Sequence, residues 1–394
     1  MNKFRNRLAN LLGIVLAIST LLFCAKYASA QCTEITSGLR HPLGLALSNQ
    51  RNLVVSESGS RVLPGTAVLP GRISIVDTGG TRRTLLDGLP SALNDVGDAS
   101  GPAGILIRGR TLYVAIGVGD VTINGGGPGL NKPNPNGPSS PIFSSLLEIH
   151  FSSNVEKTTT GFTLTFANQQ ALANGETLTL SNSDGDNITV RMVVNFPDFI
   201  VLTPPFIAAS NPFQLAAIED HLYVTDGGRN LVWDVDLETG SFSTLVSFPK
   251  ITNPTPVGAP LIDAVPTGIA VSNDQLLVTL FSGFPFPPGV SSVEQVDPVT
   301  GNHSALITGR RTAIDVLPIT TSGDTDYLVL QHNSGPVLLP PWSGPGVLLR
   351  FDNPGDAPTT IASCLTRPTS MLWDQKTGTF YVNELAGRIV SIAQ

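Results

Sequence analysis

His41, Asn211 and Arg367 each stand directly before a proline that opens an apolar run, and Glu57, Asp226, Gln331, His332 and Glu384 end or follow a second run of the same kind. Imidazoles and carboxylates gathered at one place can bind a cation or move protons. Walled by the aromatic residues Phe284, Phe286 and Trp342 of neighbouring loops, the same groups can hold a small molecule. Plainer readings compete: Arg367 and Glu384 can pair with each other, and Asp226 before Gly227 and Gly228 is a good turn former.

The outcome depends on the strands that carry these residues. A turn followed by an apolar strand recurs at His41–Leu47, Gly101–Ile107, Asn211–Leu215, Val265–Val271 and Arg367–Trp373, with a sixth copy at Thr312–Leu317 that lacks the proline. Second strands follow at Asn52–Glu57, Thr111–Ile116, His221–Asp226, Gln275–Leu280, Asp326–Gln331 and Thr379–Glu384. Third strands read as Gly71–Asp77, Ser145–His150, Asn230–Asp236, Ser292–Asp297, Val347–Asp352 and Arg388–Ile392. Fourth strands are plain at Thr84–Leu89, Ser243–Phe248, Ser304–Thr308 and Thr359–Cys364. The last copy ends without one, and Thr33–Leu39 at the other end resembles the missing strand. The pattern predicts an all-β, six-bladed β-propeller closed by its N-terminal strand, since closure removes the exposed sheet edge. No helix beyond isolated turns is expected.

In that topology the starts of first strands and the ends of second strands meet on one face. Long loops, Gly59–Pro70, Gly117–Pro141, Phe281–Val290 and His332–Pro345, emerge there, whereas the opposite face receives short turns such as Asp236–Gly240 and Asp297–Gly301. The candidate binding face is therefore the one with the long loops. Residues 151–205 break the period. Alternating segments with Asn174-Gly175 and Asp184-Gly185 as turn signals predict a β-hairpin or small sheet inserted in blade two, its outer strand displaced to part of 190–203.

Lys3, Arg5 and Arg7 precede an apolar run from Leu11 to Phe23, and Ala28-Ser29-Ala30 supplies a cleavage site, so residues 1–30 read as a signal peptide and 31–394 as the propeller. The apolar run is shorter than the roughly 20 residues that span a bilayer. The expected product is exported, to periplasm or exterior, not inserted in a membrane, and monomeric. Beyond residue 30 the chain has 19 basic and 30 acidic residues, a balance of −11 that argues against nucleic acid. Cys32 and Cys364 then meet an oxidising environment. Counting by repeats sets Cys364 level with Gly38, too far from Cys32 to bond unless a displaced N-terminus brings them together.

Several chemistries lack their motifs. Asn182-Ser-Asp184-Gly-Asp186-Asn187 has neither the spacing nor the final Glu of a calcium loop and reads as a hairpin turn. Gly125–Gly129 is followed by prolines that cannot open a helix, so it is no phosphate cradle. Neither Gly-x-Ser-x-Gly nor His-Glu-x-x-His occurs, and nothing calls for a cofactor.

The phrases Ser210–Phe213 with Tyr223–Gly228, Ala264–Thr267 followed by Phe281–Gly289, and the Ile314-Asp315 unit resemble the ScyD/ScyE family of exported, NHL-like propeller proteins, over roughly 33–150 and 205–394. The resemblance implies a binding or accessory protein in secondary-metabolite or pigment handling, with a small-molecule or protein ligand. The alternative is a metal-dependent hydrolase or lyase of the six-bladed, lactonase-like group. Such enzymes use a channel Glu ahead of a first strand, where this chain has His41, Gly101, Asn211, Val265 and Arg367.

Overall fold

A computed structural model describes residues 30–61, 68–127, 129–321, 323–335 and 344–393. Trp342 and residues 1–29 of the expected signal peptide lie outside them. Among the described residues six sheets share an antiparallel four-stranded core, to which the inserted segment adds Phe162–Thr163, parallel to Arg82–Leu89, on one and Leu178–Ser181 on the next. Their first strands are Pro42–Leu47, Pro102–Arg108, Pro212–Ile218, Pro266–Ser272, Ala313–Thr321 and Pro368–Asp374, here numbered as sheets 1 to 6. Each first strand packs against the first strand of the next sheet, and that of sheet 6 against that of sheet 1, so the cycle is closed. The outer strand of sheet 6 is Cys32–Ser37, paired antiparallel with Arg388–Ala393 from the C-terminus, as expected from its likeness to the other fourth strands.

The second strands explain this stacking. Leu112, Val114, Ala115 and Ile116, or Leu276, Leu277, Val278 and Leu280, are all buried, so both faces of the sheet are covered. Such strands read as continuous apolar runs rather than as alternating ones. Between sheets 4 and 5, for example, Leu277, Val293 and Ile307 interlock with Val316, Val329, Leu349 and Phe351.

Small polar side chains bind the inner strands together. Gly44 N–H donates to Ser56 Oγ at 2.8 Å, and that hydroxyl donates to Ala103 O of sheet 2. Gln214 N–H likewise donates to Thr225 Oγ1, which donates to Thr267 O of sheet 4 at 2.5 Å. Ser144 reaches Ser210 O, Thr267 reaches Ala313 O, Met371 N–H reaches Asp315 Oδ2, and Asn383 reaches Gly44 O. Every junction of the cycle thus carries a buried hydrogen bond. Each first strand also has one extra residue just after its start, a bulge between Pro42 and Leu45 in sheet 1 and at the matching place in the other five. A bulge re-aims the side chains around it.

The inserted segment meets the expectation in part. The fourth strand of sheet 2 is Asn187–Asn195, which overlaps the expected 190–203 but begins three residues earlier, and it forms a hairpin with Leu178–Ser181 through the turn at 182–186, where Asn182 Oδ1 accepts the N–H groups of Asp184 and Asp186. Phe199–Val201 and Ile207–Ala209 join a separate four-stranded sheet with Thr122–Asn124 and Asn131–Pro133. Helix forms where none was expected, at Phe166–Ala173, with Thr165 and Asn168 capping its N-terminus reciprocally. Asn174-Gly175, expected as a hairpin turn, ends this helix, Gly175 taking φ +86°. The helix buries only Gln169 and Leu172 and exposes Phe166, so it has little apolar stripe to read. No helix among the described residues is long and apolar enough to cross a membrane.

Cys32 and Cys364 are joined, with Cα atoms 5.9 Å apart, against the count by repeats. That count treats the outer strands as translated copies. In the structure the chain ahead of Cys32 leaves sheet 6 and lies along the outer strand of sheet 5, Ala30 N–H donating to Ile361 O at 2.8 Å. Because the bond spans 332 residues, its loss enlarges the unfolded ensemble greatly. Reduction, or the Cys32→Ser/Cys364→Ser pair, is expected to cost about 2–4 kcal/mol. Calorimetry with and without reductant checks this, and an unchanged melting temperature would contradict it.

Candidate functional site

The residue ahead of each first strand occupies one repeated position: His41, Gly101, Asn211, Val265, Thr312 and Arg367. Four of these adopt left-handed backbone, with φ of 49° at His41, 55° at Val265, 43° at Thr312 and 50° at Arg367. That conformation is uncommon for any residue with a side chain and is an outlier for the β-branched Val265 and Thr312. Strain of this kind persists only where the surroundings enforce it. Here buried side-chain oxygens contribute: Glu57 and Glu384 hold the N–H groups just ahead of His41 and Arg367, Asn230 Oδ1 accepts Val265 N–H at 2.9 Å, and Gln331 Oε1 accepts the N–H of Arg311 ahead of Thr312.

Glu57 is fully buried. Its Oε2 accepts Arg40 N–H at 2.5 Å, Arg72 binds both of its oxygens at 2.7 Å, and Ser74 Oγ donates to Oε1. Asp226 Oδ1 accepts the N–H groups of Asn211 at 2.8 Å and Arg229 at 3.1 Å, and Oδ2 accepts Trp233 Nε1 at 2.9 Å. Burial holds its carboxyl above the usual range, against the pull of those donors. Glu384 accepts Thr366 N–H at 2.7 Å and is bound by Arg388 Nε. Each carboxylate therefore grips the backbone at or just ahead of a strand-leading residue. None of the three lines the cavity: their partners Arg72, Trp233 and Arg388 turn them into the sheet. Glu384 pairs with Arg388, not with Arg367 as the sequence allowed.

What they support is a cavity of about 320 Å³ at the channel end where the second strands finish. His41, Asn211, Val265 and Arg367 of the leading position line it. So do Leu43, Phe213, Thr267, Ile314 and Thr369, each two residues further on and set by the bulge. Phe281, Phe286, His332 and Leu385 complete the wall, with Asp98 and Ala99 from a hairpin at one side. Of the sequence candidates, His41, Asn211, Phe286, His332 and Arg367 meet here. Gln331 is buried outside the cavity, its Oε1 accepting Arg311 N–H at 3.4 Å. Phe284 stands edge-on to Phe286 at 6.2 Å and lines an adjoining groove with Leu130, Gly258 and Leu261. Leu43, Phe213, Thr267, Ile314 and Thr369 escaped notice although they occupy a single repeat position, the residue after the proline or its Ala313 equivalent, which is the signal that finds them.

The electrostatics are simple. His332 donates its Nδ1–H to Pro368 O at 2.9 Å and accepts Arg367 Nε at Nε2, 3.4 Å away. Burial lowers its pKa to about 4, with Arg367 adding to the effect, so the ring is neutral at pH 7. Burial also lowers that of His41, offset in part by Asp98. Arg367 is the cation of the cavity. Phe281 stands edge-on to both His332 (5.8 Å) and Phe286 (5.9 Å).

No protein-family model and no curated protein matches this sequence. Among solved structures the fold is similar to the soluble aldose sugar dehydrogenase of Escherichia coli, at 11% identity and TM-score 0.51, covering 93% of this chain and 99% of that one. It is similar also to a gluconolactonase of Xanthomonas campestris, at 11% identity and TM-score 0.50, covering 95% and 93%. Both are β-propellers, and the likeness gives this chain the same fold. At such identity it speaks for the fold alone.

Proposed function

We propose that the six sheets are the blades of a six-bladed propeller, and that the protein is exported and binds a small ligand in the cavity that His41, Arg367, Phe281 and Phe286 line. The single observation that carries the binding reading is the construction of that cavity: two repeat positions from separate sheets converge on it, and three of its leading residues, His41, Val265 and Arg367, hold left-handed backbone there. The Cys32–Cys364 bond supports an oxidising destination. A role in secondary-metabolite or pigment handling rests on the sequence resemblance.

The alternative, a metal-dependent lactonase-like enzyme, draws on the shared propeller fold. The donor set does not fit it. Among the described residues no three His, Cys, Asp or Glu side chains are placed to share an ion, and both nitrogens of His332 are engaged by Pro368 and Arg367. Thermal shift against divalent metals and a panel of small metabolites separates the readings, because whatever binds the native state raises its melting temperature. A stabilising organic ligand is expected, whose affinity Phe286→Ala lowers by about 1 kcal/mol or more. Stabilisation by calcium or zinc alone, with ester or lactone turnover, would favour the enzyme.

A further inference from the structure

We propose that the cavity selects a small organic acid, its carboxylate on the Arg367 guanidinium and its apolar body against Phe213, Phe281 and Phe286. This rests on the reading of the cavity as a binding site and adds the class of ligand.

The charge arrangement carries it. The ion pairs of the inner carboxylates are made by Arg72 and Arg388, and among the described residues no carboxylate lies within 4 Å of Arg367. A half-buried guanidinium without a counter-ion is costly, and a ligand anion offsets that cost. His332 fixes the guanidinium through Nε without bringing charge of its own. Its Nδ1–H is engaged by Pro368 O, so Nε2 can only accept, and the fork of Arg367 is oriented by a neutral ring. Asn211 Oδ1 accepts Val118 N–H at 3.0 Å, so its amide group faces the cavity as a donor. Asp98, the carboxylate of the lining, is an exposed residue of the hairpin Ala92–Leu93 and Ala99–Ser100, where solvent screens it. One guanidinium between two imidazoles held neutral suits a monoanion, and its planar fork matches a carboxylate. The remaining wall is Leu43, Val265, Ile314, Leu385 and the phenylalanines with Thr267 and Thr369, whose hydroxyls are already given to Ala313 O and Pro42 O, so it favours an apolar body.

Matched probes test this. Benzoate against benzamide and 2-naphthoate against 2-naphthamide differ in charge and hardly in shape. Titration calorimetry at neutral pH is expected to show each acid binding about tenfold or more tightly than its amide. In Arg367→Gln the ratio should fall to near one, while Phe286→Ala should weaken acid and amide together. Arg367→Lys, which keeps the charge and loses the fork, should give an intermediate ratio and serves if the Gln variant does not fold. Equal binding of acid and amide by the unaltered protein, or an acid preference that survives Arg367→Gln, overturns the inference and leaves the binding reading standing. Failure of both acids and both amides to bind at millimolar concentration overturns the two together.

Discussion

Glu57→Ala is expected to destabilise the protein by about 3–5 kcal/mol, since it strands Arg72 as an uncompensated buried cation. Glu57 is fully buried and Arg72 nearly so, and the carboxylate also accepts Arg40 N–H and Ser74 Oγ–H. The loss should show as a large fall in the midpoint of chemical unfolding. Glu57→Gln keeps the shape but must place an amide N–H₂ where an oxygen accepts from Arg72, so it should fall nearly as far. A ligand-contact residue would behave in the opposite way, losing affinity with little change in stability. Variants of Glu57 that melt normally would return it to the cavity.

The second large effect is a dependence on pH centred on Asp315. This side chain is buried at the junction of sheets 5 and 6, accepting Met371 N–H at 2.8 Å and Val316 N–H at 2.9 Å with no cation among its partners. Burial pushes its pKa up to about 7, the two hydrogen bonds opposing. In the unfolded chain it ionises near 3.8, so between these values the folded state holds a proton that the unfolded state has released. Stability therefore falls as pH rises through this window and levels off above it, by a total on the order of 4 kcal/mol. His332 acts in the reverse sense: its folded pKa of about 4 lies below the unfolded 6.5, so the unfolded state binds the extra proton and stability rises with pH over nearly the same interval. The two slopes oppose each other in the unaltered protein. Asp315→Asn should unmask the rise. The difference in unfolding free energy between protein and variant, followed from pH 4 to pH 8 by urea titration, should fall up to about pH 7 and then level off, and a flat difference would show that Asp315 does not titrate there.

How much of this was legible in the sequence follows from what repeats. Second strands Thr111–Ile116, His221–Asp226, Gln275–Leu280 and Thr379–Glu384 have the bounds that the repeat predicts, because six copies of one pattern fix strand limits better than any single segment can. Ring closure was legible for the same reason. The face that bears the cavity was legible too, since strand order alone decides it. What was not legible is the direction of individual side chains. Glu57 and Glu384 end their strands as a ligand-binding residue would, and only their cross-strand partners, Arg72 and Arg388, turn them inward. The sequence does carry a trace of this: both arginines follow a glycine at the start of a third strand, Gly71 and Gly387. In sheet 3 the arginine is replaced by Trp233 Nε1, which no charge pattern announces. The Phe166–Ala173 helix was hidden because local capping, not an apolar stripe, holds it.

The pairing of Cys32–Ser37 with Arg388–Ala393 has a consequence in time. Ribosomes make the chain in the direction of its C-terminus, so Cys32–Ser37, which completes the last sheet, is made long before its partner Arg388–Ala393. During synthesis it waits while more than three hundred residues follow, with its backbone N–H and C=O groups facing water or any other strand edge in reach. Contacts of such long sequence separation form late and slowly. The newborn chain must therefore pass through a form in which five sheets can be complete and the sixth cannot. Its vulnerability to mispairing is concentrated in that interval, before the two strands meet.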